Sequence, residues 1–198
     1  MRLIARMLSL FVFCALVAAS AAAQTPTPKP AATPAAAPTP TSMKSIEGVT
    51  STIFQEKQSS FSGIGLRMRV RIPQLIDGFS VMPMVEYWRN RSTLEDFGVE
   101  ATRKDAALGA VFRYDWKREG WQPYAATGIG LHFLSATLDA PTLGFDDESE
   151  SLMKGGIILM GGIRFGLAGK LGNLIELEYH GLGKQSQIKF NWGLTYDF

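Results

Sequence analysis

Charged side chains recur at two-residue spacing in this sequence, which places them on one face of an extended chain. Arg67, Arg69 and Arg71 alternate with apolar residues, and Glu176 and Glu178 do so near the C-terminal end. Side chains at i and i+2 point the same way in a strand, so each set forms a row. Facing rows of opposite charge either pair as a buried cluster or line a polar passage. We predict a structural charge cluster made of these residues and three more on the same face of other segments: Glu86, Arg113 and Arg164.

The only two histidines, His132 and His180, are the other candidates for chemistry. His132 is followed by Ser135 and Asp139, which are residue types used in acyl transfer, but the spacing is loose for a catalytic motif. Two histidines on different segments also lack the short-spaced partner of a metal site. We therefore predict no catalytic residue, no metal and no cofactor.

Period-two alternation predicts the strands that hold these residues. Arginine would cost roughly 2 to 4 kcal/mol at the membrane midplane, so the polar face must line a lumen and the apolar face must contact lipid. No stretch after residue 42 has the roughly 18 continuous apolar residues of a membrane helix. Barrels of this kind have even strand counts, so the weakly alternating segment 45–55 is predicted as an eighth strand. The seven clear strands are 61–72, 79–90, 103–115, 121–134, 152–167, 173–181 and 186–198.

The C-terminal strand carries a recognisable pattern. Asn191-x-Gly193-x-x-Tyr196-x-Phe198 resembles the C-terminal signal of bacterial outer-membrane β-barrels. Segments 105–115, 122–133 and 193–198 resemble strands of the small eight-stranded OmpA/OmpX-type barrel family. The resemblance implies an all-β, transmembrane, antiparallel up-and-down barrel in the outer membrane. It also implies that those four residues are an assembly signal, recognised by the outer-membrane assembly machinery, and it carries over no catalytic residue.

The N-terminal part of the sequence is predicted to contain a targeting segment followed by a linker. Residues 1–23 have a basic start, an apolar run and a small-residue end, which predicts a cleaved signal peptide. Residues 24–42 are rich in Pro, Ala and Thr and are expected to be a disordered linker, leaving 43–198 as the barrel. Removing Arg2 and Arg6 leaves 18 basic residues against 18 acidic ones, which argues against a nucleic-acid partner. Cys14, the single cysteine, lies in the removed segment.

Connection lengths predict the topology. With both barrel ends in the periplasm, the turns at 73–78, 116–120 and 168–172 are short, and the long connections 91–102 and 135–151 lie outside. A symmetric hairpin around 168–172 would set Arg164 directly opposite Glu176. The acidic outer segment 139–151 reads as a solvated loop, and the alternative is a cation or surface-ligand site.

These observations predict an outer-membrane barrel with a structural or surface-interaction role, whose lumen is plugged by ion pairs. The alternatives are a narrow, porin-like small-solute channel and a lipid-modifying enzyme, since His132 and Ser135 invite comparison with the eight-stranded outer-membrane acyltransferase. The predicted partners are outer-membrane lipids, the assembly machinery and a surface ligand bound through 91–102 and 135–151. We expect a monomer that binds no nucleic acid.

Overall fold

Eight antiparallel strands form one closed barrel. The computed structural model describes residues 41–56, 59–72, 75–94, 99–116, 118–140 and 145–198. Each strand pairs with its neighbours in sequence, and β1 pairs with β8 from Ser45↔Asp197 to Gln55↔Gln187. The predicted fold class and the eighth strand are therefore confirmed. The strands are β1 Ser42–Gln55, β2 Phe61–Arg71, β3 Phe79–Leu94, β4 Val99–Asp115, β5 Trp121–Ala140, β6 Phe145–Ala168, β7 Leu171–Gly181 and β8 Gln187–Asp197.

The two faces of each strand follow the alternation of the sequence. In β8, Gln187, Lys189 and Asn191 are buried, while Phe190 and Trp192 are 47% and 48% exposed. Exposed large apolar side chains occur on the outer face of every strand, and Ile129 of β5 reaches 71% exposure. An apolar surface of this extent requires lipid rather than water around it. Within the described residues, no helix is both long enough and apolar enough to cross a membrane.

The two ends of the barrel differ. At one end, short connections join β2 to β3, β4 to β5 and β6 to β7, and Gly78 and Gly120 adopt φ of 96° and 80° there. Such positive φ angles favour glycine. At the other end, β3 to β6 continue past the predicted strand ends, so most of 91–102 and 135–151 is paired strand rather than loop. Short turns are periplasmic in transmembrane barrels of this kind, so we expect the extended hairpins β3–β4 and β5–β6 to lie outside; the two ends are called the periplasmic end and the outer end on this basis.

The predicted register of the β6–β7 hairpin is wrong. Arg164 lies opposite Leu174, and Glu176 lies opposite Gly162. The strands continue to Ala168↔Leu171 with a shift after Gly166, so the turn is tighter than the five residues expected. The register therefore differs by two residues, which keeps every side chain on its predicted face.

Three predicted features lie largely outside the described residues. They are the signal peptide 1–23, the Pro/Ala-rich linker and the tip of the acidic segment 139–151. Within the described part, β1 begins at Ser42, the last residue assigned to the linker.

Candidate functional site

Arg67 of β2 is the centre of the lumen. Its guanidinium donates to Glu86 Oε1 at 2.9 Å, to Glu176 Oε1 at 2.7 Å and to Glu178 Oε2 at 2.7 Å, and none of these side chains is more than 4% exposed. Glu86 lies on the adjacent strand β3, whereas the other two lie on β7 across the lumen. These four residues, called the Arg67 hub, therefore connect opposite walls of the barrel.

Neutral and cationic donors complete the hub. Asn191 Nδ2 donates to Glu176 Oε1 at 2.7 Å and to Glu178 Oε2 at 2.6 Å. The Tyr124 hydroxyl donates to Glu176 Oε2 at 2.8 Å, and Lys189 pairs with Glu86. A buried carboxylate is stable only when such partners satisfy it. The hub meets this condition with donors from β2, β5 and β8.

A row of hydrogen bonds runs from the hub toward the outer end through His132 and His180, called the histidine pair. His132 Nδ1 lies 2.7 Å from Asp105 Oδ2, and its Nε2 lies 2.9 Å from His180 Nδ1. His180 Nε2 contacts Glu178. Lys189 Nζ also lies 3.5 Å from His180 Nε2. The two rings therefore connect Asp105 of β4 to the Arg67 hub.

A second set of ion pairs fills the inner half of the lumen. Arg113 Nη1 lies 2.9 Å from Glu47 Oε1, and its Nη2 lies 2.8 Å from Asp115 Oδ1. The same guanidinium lies 3.6 Å from the centroid of the Tyr124 ring, a cation–π contact. Nearer the periplasmic mouth, Arg69 pairs with both Asp115 and Asp197, and Arg164 pairs with Asp197.

Apolar side chains fill the rest of the interior. Six buried residues of β3 to β6 form an apolar wall opposite the charged strands: Met82, Met84, Val111, Ala126, Ile158 and Met160. Near the outer end, Ile53, Phe61 and Trp88 form a second cluster, called the outer cap, in which the Phe61 and Trp88 ring centroids are 4.6 Å apart. The Trp88 indole N–H donates to Asp105 Oδ2 at 3.2 Å, so the outer cap is tied to the histidine pair.

The structure places the predicted charge residues as follows. All eight lie on the inward face, and six are buried. Arg69 lies near the mouth, and Arg71 is 45% exposed at the mouth, where it pairs with Asp77 at 2.9 Å. Arg164 bonds Thr195 Oγ1 at 3.1 Å and pairs with Asp197, so its predicted pairing with Glu176 is wrong.

Sequence reasoning missed several lumen residues. Lys189 and Asn191 share the inward parity of β8, and Glu47 lies on the weakly alternating β1, so only their parity pointed inward. Asn191, which was expected in the assembly signal, is also a hub donor. In the same signal, a Cβ at Gly193 would lie 2.5 Å from the Gly48 carbonyl oxygen, while Tyr196 and Phe198 are exposed on the outer face.

The geometry around His132 does not form an acyl-transfer site. His132 is fully buried in the lumen, and its two nitrogens are committed to Asp105 and His180. Ser135 lies opposite Lys104 on the outward face, away from the imidazole. Ligand atoms of Glu86, Glu178 and His180 lie within 4.8 Å of one another, but Lys189 and Arg67 already bond the two carboxylates.

Cavities occur at both mouths of the barrel. A cavity of about 380 Å³ at the periplasmic end is bounded by Arg69, Asp115 and Arg164. Two cavities at the outer end, of about 510 and 300 Å³, share Gln55, Arg103 and Gln185. The Arg67 hub and the histidine pair lie between these mouths.

Comparison with known proteins identifies the fold. No protein-family model matches the sequence, and no curated protein matches it. Ail, the attachment invasion locus protein of Yersinia pestis, solved with the heparin analogue sucrose octasulfate, is similar in structure with a TM-score of 0.56 and 17% identity over 80% of this chain and 98% of that one. Neisserial surface protein A has a TM-score of 0.54 and 17% identity, over 81% of this chain and 100% of that one. The N-terminal β-barrel domain of Pseudomonas aeruginosa OprF has a TM-score of 0.53 and 11% identity, over 79% of this chain and 100% of that one. The closed barrel and these likenesses give this chain the fold of a small eight-stranded antiparallel β-barrel, and its apolar outer surface makes it a barrel that spans a membrane.

Proposed function

We propose that this protein is a non-conducting, non-enzymatic barrel that serves a structural or surface-interaction role in the outer membrane. The Arg67 hub carries the proposal. One guanidinium joins β2, β3 and β7 at 2.7 to 2.9 Å, so a hydrated passage through the centre would have to break buried ion pairs. Eight strands leave an interior just wide enough for side chains.

Conductance in planar lipid bilayers tests the plug. The purified, folded protein is expected to give no discrete current steps. A variant that empties the centre, Arg67→Ala with Glu176→Ala and Glu178→Ala, is the positive control for a passage in the same barrel. Reproducible single-channel steps from the unmodified protein would replace this proposal with the small-solute channel.

The extended hairpins support the surface role. Paired strand continues to Leu94↔Val99 in β3–β4 and to Ala140↔Phe145 in β5–β6. Hairpins paired in this way present a fixed surface, unlike flexible loops. Ail is described in complex with a heparin analogue, which supports a ligand-binding role for a barrel of this fold.

A ligand screen tests the surface role. The barrel in nanodiscs is applied to an array of sulfated and neutral glycans, beside a variant in which 91–102 and 135–151 are each replaced by a short turn. Binding that is lost in the shortened, folded variant supports the role. Equal binding by both proteins would refute a role for these hairpins.

The remaining parts of the proposal follow from the sequence. Residues 1–23 direct export and are removed, and the Pro/Ala-rich linker precedes a monomeric barrel that uses no cofactor and binds no nucleic acid. The assembly machinery recognises Asn191, Gly193, Tyr196 and Phe198.

A further inference from the structure

The outer surface of the β3–β4 hairpin ends in two directly opposed positive charges. Going up from the periplasmic end, the outward pairs are apolar from Phe79↔Tyr114 to Tyr87↔Ala106. The next outward pair is Arg89↔Lys104, and both side chains are exposed. The row of apolar pairs is called the apolar ladder. It ends at two positively charged residues, Arg89 and Lys104, which are called the cationic pair.

The cationic pair lies where the lipid headgroups begin. Ten residues separate Phe79 from Arg89, and ten separate Tyr114 from Lys104. At about 3.3 Å per residue, ten residues span about 33 Å along the strand. A tilt of about 40° reduces this to about 25 Å along the membrane normal, which is the height of the apolar band in such barrels. The two charges therefore sit at the outer edge of the hydrocarbon layer.

Within the described residues, these two charges are not compensated by an ion pair. Like charges directly opposite each other destabilise a sheet, so an uncompensated pair is unfavourable. One pair further out, Arg91 is compensated by Glu100 on the same face. In the part of the chain that the structure describes, no carboxylate forms an ion pair with Arg89 or Lys104.

Two hydroxyl groups continue the row on the neighbouring strands. Lys104 lies opposite Ser135 of β5, and Ser135 lies opposite Ser151 of β6. The row below is apolar and aromatic and includes Phe133, which is 44% exposed. Guanidinium, ammonium and hydroxyl groups are the donors that bind phosphate, and arginine does so in a bidentate manner.

We propose that the cationic pair, with Ser135 and Ser151, binds the phosphate headgroup of an anionic lipid in the outer leaflet. The acyl chains of that lipid lie against the apolar ladder, and its phosphate neutralises the two charges. The site goes beyond the proposed function because it requires neither a closed lumen nor a soluble ligand.

Lipid selectivity in vesicles tests the site. The folded protein is placed in phosphatidylcholine vesicles, and electron paramagnetic resonance measures the association of spin-labelled phosphatidic acid relative to spin-labelled phosphatidylcholine. In the double variant Arg89→Gln with Lys104→Gln, the preference for phosphatidic acid is expected to fall by about fivefold or more. Heat-modified mobility in gels verifies that each variant is folded.

A matched control separates a site from a general loss of charge. Arg103→Gln with Lys184→Gln removes the same two charges at the same end, but Arg103 has the inward parity of β4 and Lys184 lies in the short connection between β7 and β8. This control is expected to keep the preference of the unmodified protein. Equal loss in both double variants, or no loss in either, would overturn the site.

Inorganic phosphate distinguishes the source of the anion. A lipid site keeps its preference when free phosphate is added at constant ionic strength, because the acyl chains contribute to binding. If free phosphate abolishes the preference, the pair binds soluble anions and the lipid assignment is wrong. The lipid test does not measure conductance. A negative result for the lipid site therefore leaves the proposal of a plugged lumen unaffected, and conductance by the barrel would leave the lipid site unaffected.

Discussion

Replacing Arg67 by methionine tests the central claim about the lumen. Methionine keeps much of the apolar stem and removes the guanidinium, so three buried carboxylates lose their shared cation. Lys189 still pairs with Glu86, but Glu176 and Glu178 keep only Asn191, Tyr124 and the histidine pair. Removing one member of a buried ion pair costs about 3 to 5 kcal/mol. We expect the free energy of unfolding to fall by an amount near the top of this range.

The same strand offers a control. Arg71 has the same side chain on the same inward face, but it is 45% exposed and its partner Asp77 is 70% exposed. Solvent-exposed pairs contribute about 0 to 1 kcal/mol, so Arg71→Met is expected to change stability by no more than that. Urea unfolding in detergent micelles, followed by the fluorescence of the 4 tryptophans, measures both variants.

A rescue experiment tests the reason for the loss. Adding Glu176→Gln and Glu178→Gln to Arg67→Met removes two of the three charges that lose Arg67, leaves Glu86 paired with Lys189, and retains acceptors for Asn191. Replacing the members of a buried ionic group together is far less costly than removing one, so the triple variant should regain at least about 2 kcal/mol over the single variant. The reasoning is refuted if Arg67→Met is no worse than Arg71→Met. It also fails if the triple variant is as unstable as the single one.

Two further predictions concern other parts of the barrel. Gly162→Ala places a Cβ 2.7 Å from the Tyr124 hydroxyl and from the Ile175 carbonyl oxygen, so it should cost about 1 to 3 kcal/mol in urea unfolding, whereas Gly155→Ala, with open space around it, should be nearly neutral. Deleting Phe198, which is 56% exposed, should slow assembly and leave protease-sensitive periplasmic protein, while the variant refolded in detergent still resists heat; normal assembly in cells would refute the signal.

The strands and their faces could be predicted because alternation is a local property. Arg67 and Glu178 are inward in the sequence pattern and inward in the structure, and even the weak strand β1 follows from the even strand count. Strand ends were less predictable. The residues after Asn90 and Leu134 look like loops, yet strands β3 to β6 continue through them as paired strand. Beyond the membrane a strand needs no lipid-facing apolar row, so its sequence lacks the alternation that marks a membrane strand.

The strand-pairing register could not be predicted from the sequence, for a different physical reason. A shift of one residue exposes the wrong face and is excluded, but a shift of two residues preserves every inward and outward position. The expected Arg164–Glu176 pair differs from the observed register by such a shift. Alternation therefore cannot distinguish between registers that differ by two residues, because each of them places the apolar side chains toward lipid and the polar side chains toward the lumen.

The buried ion pairs can select among these registers. Backbone ladders connect only neighbouring strands, whereas Arg67 of β2 reaches Glu178 of β7, 111 residues away, and Arg113 of β4 reaches Glu47 of β1, 66 residues away. A two-residue slip of one strand moves its charges by about 6.6 Å along the lumen and leaves at least one of them unpaired in an apolar setting. The same residues that block the passage thus penalise each misregistered barrel. Apolar replacements of the whole network could match its stability, but they would not distinguish one even register from the next.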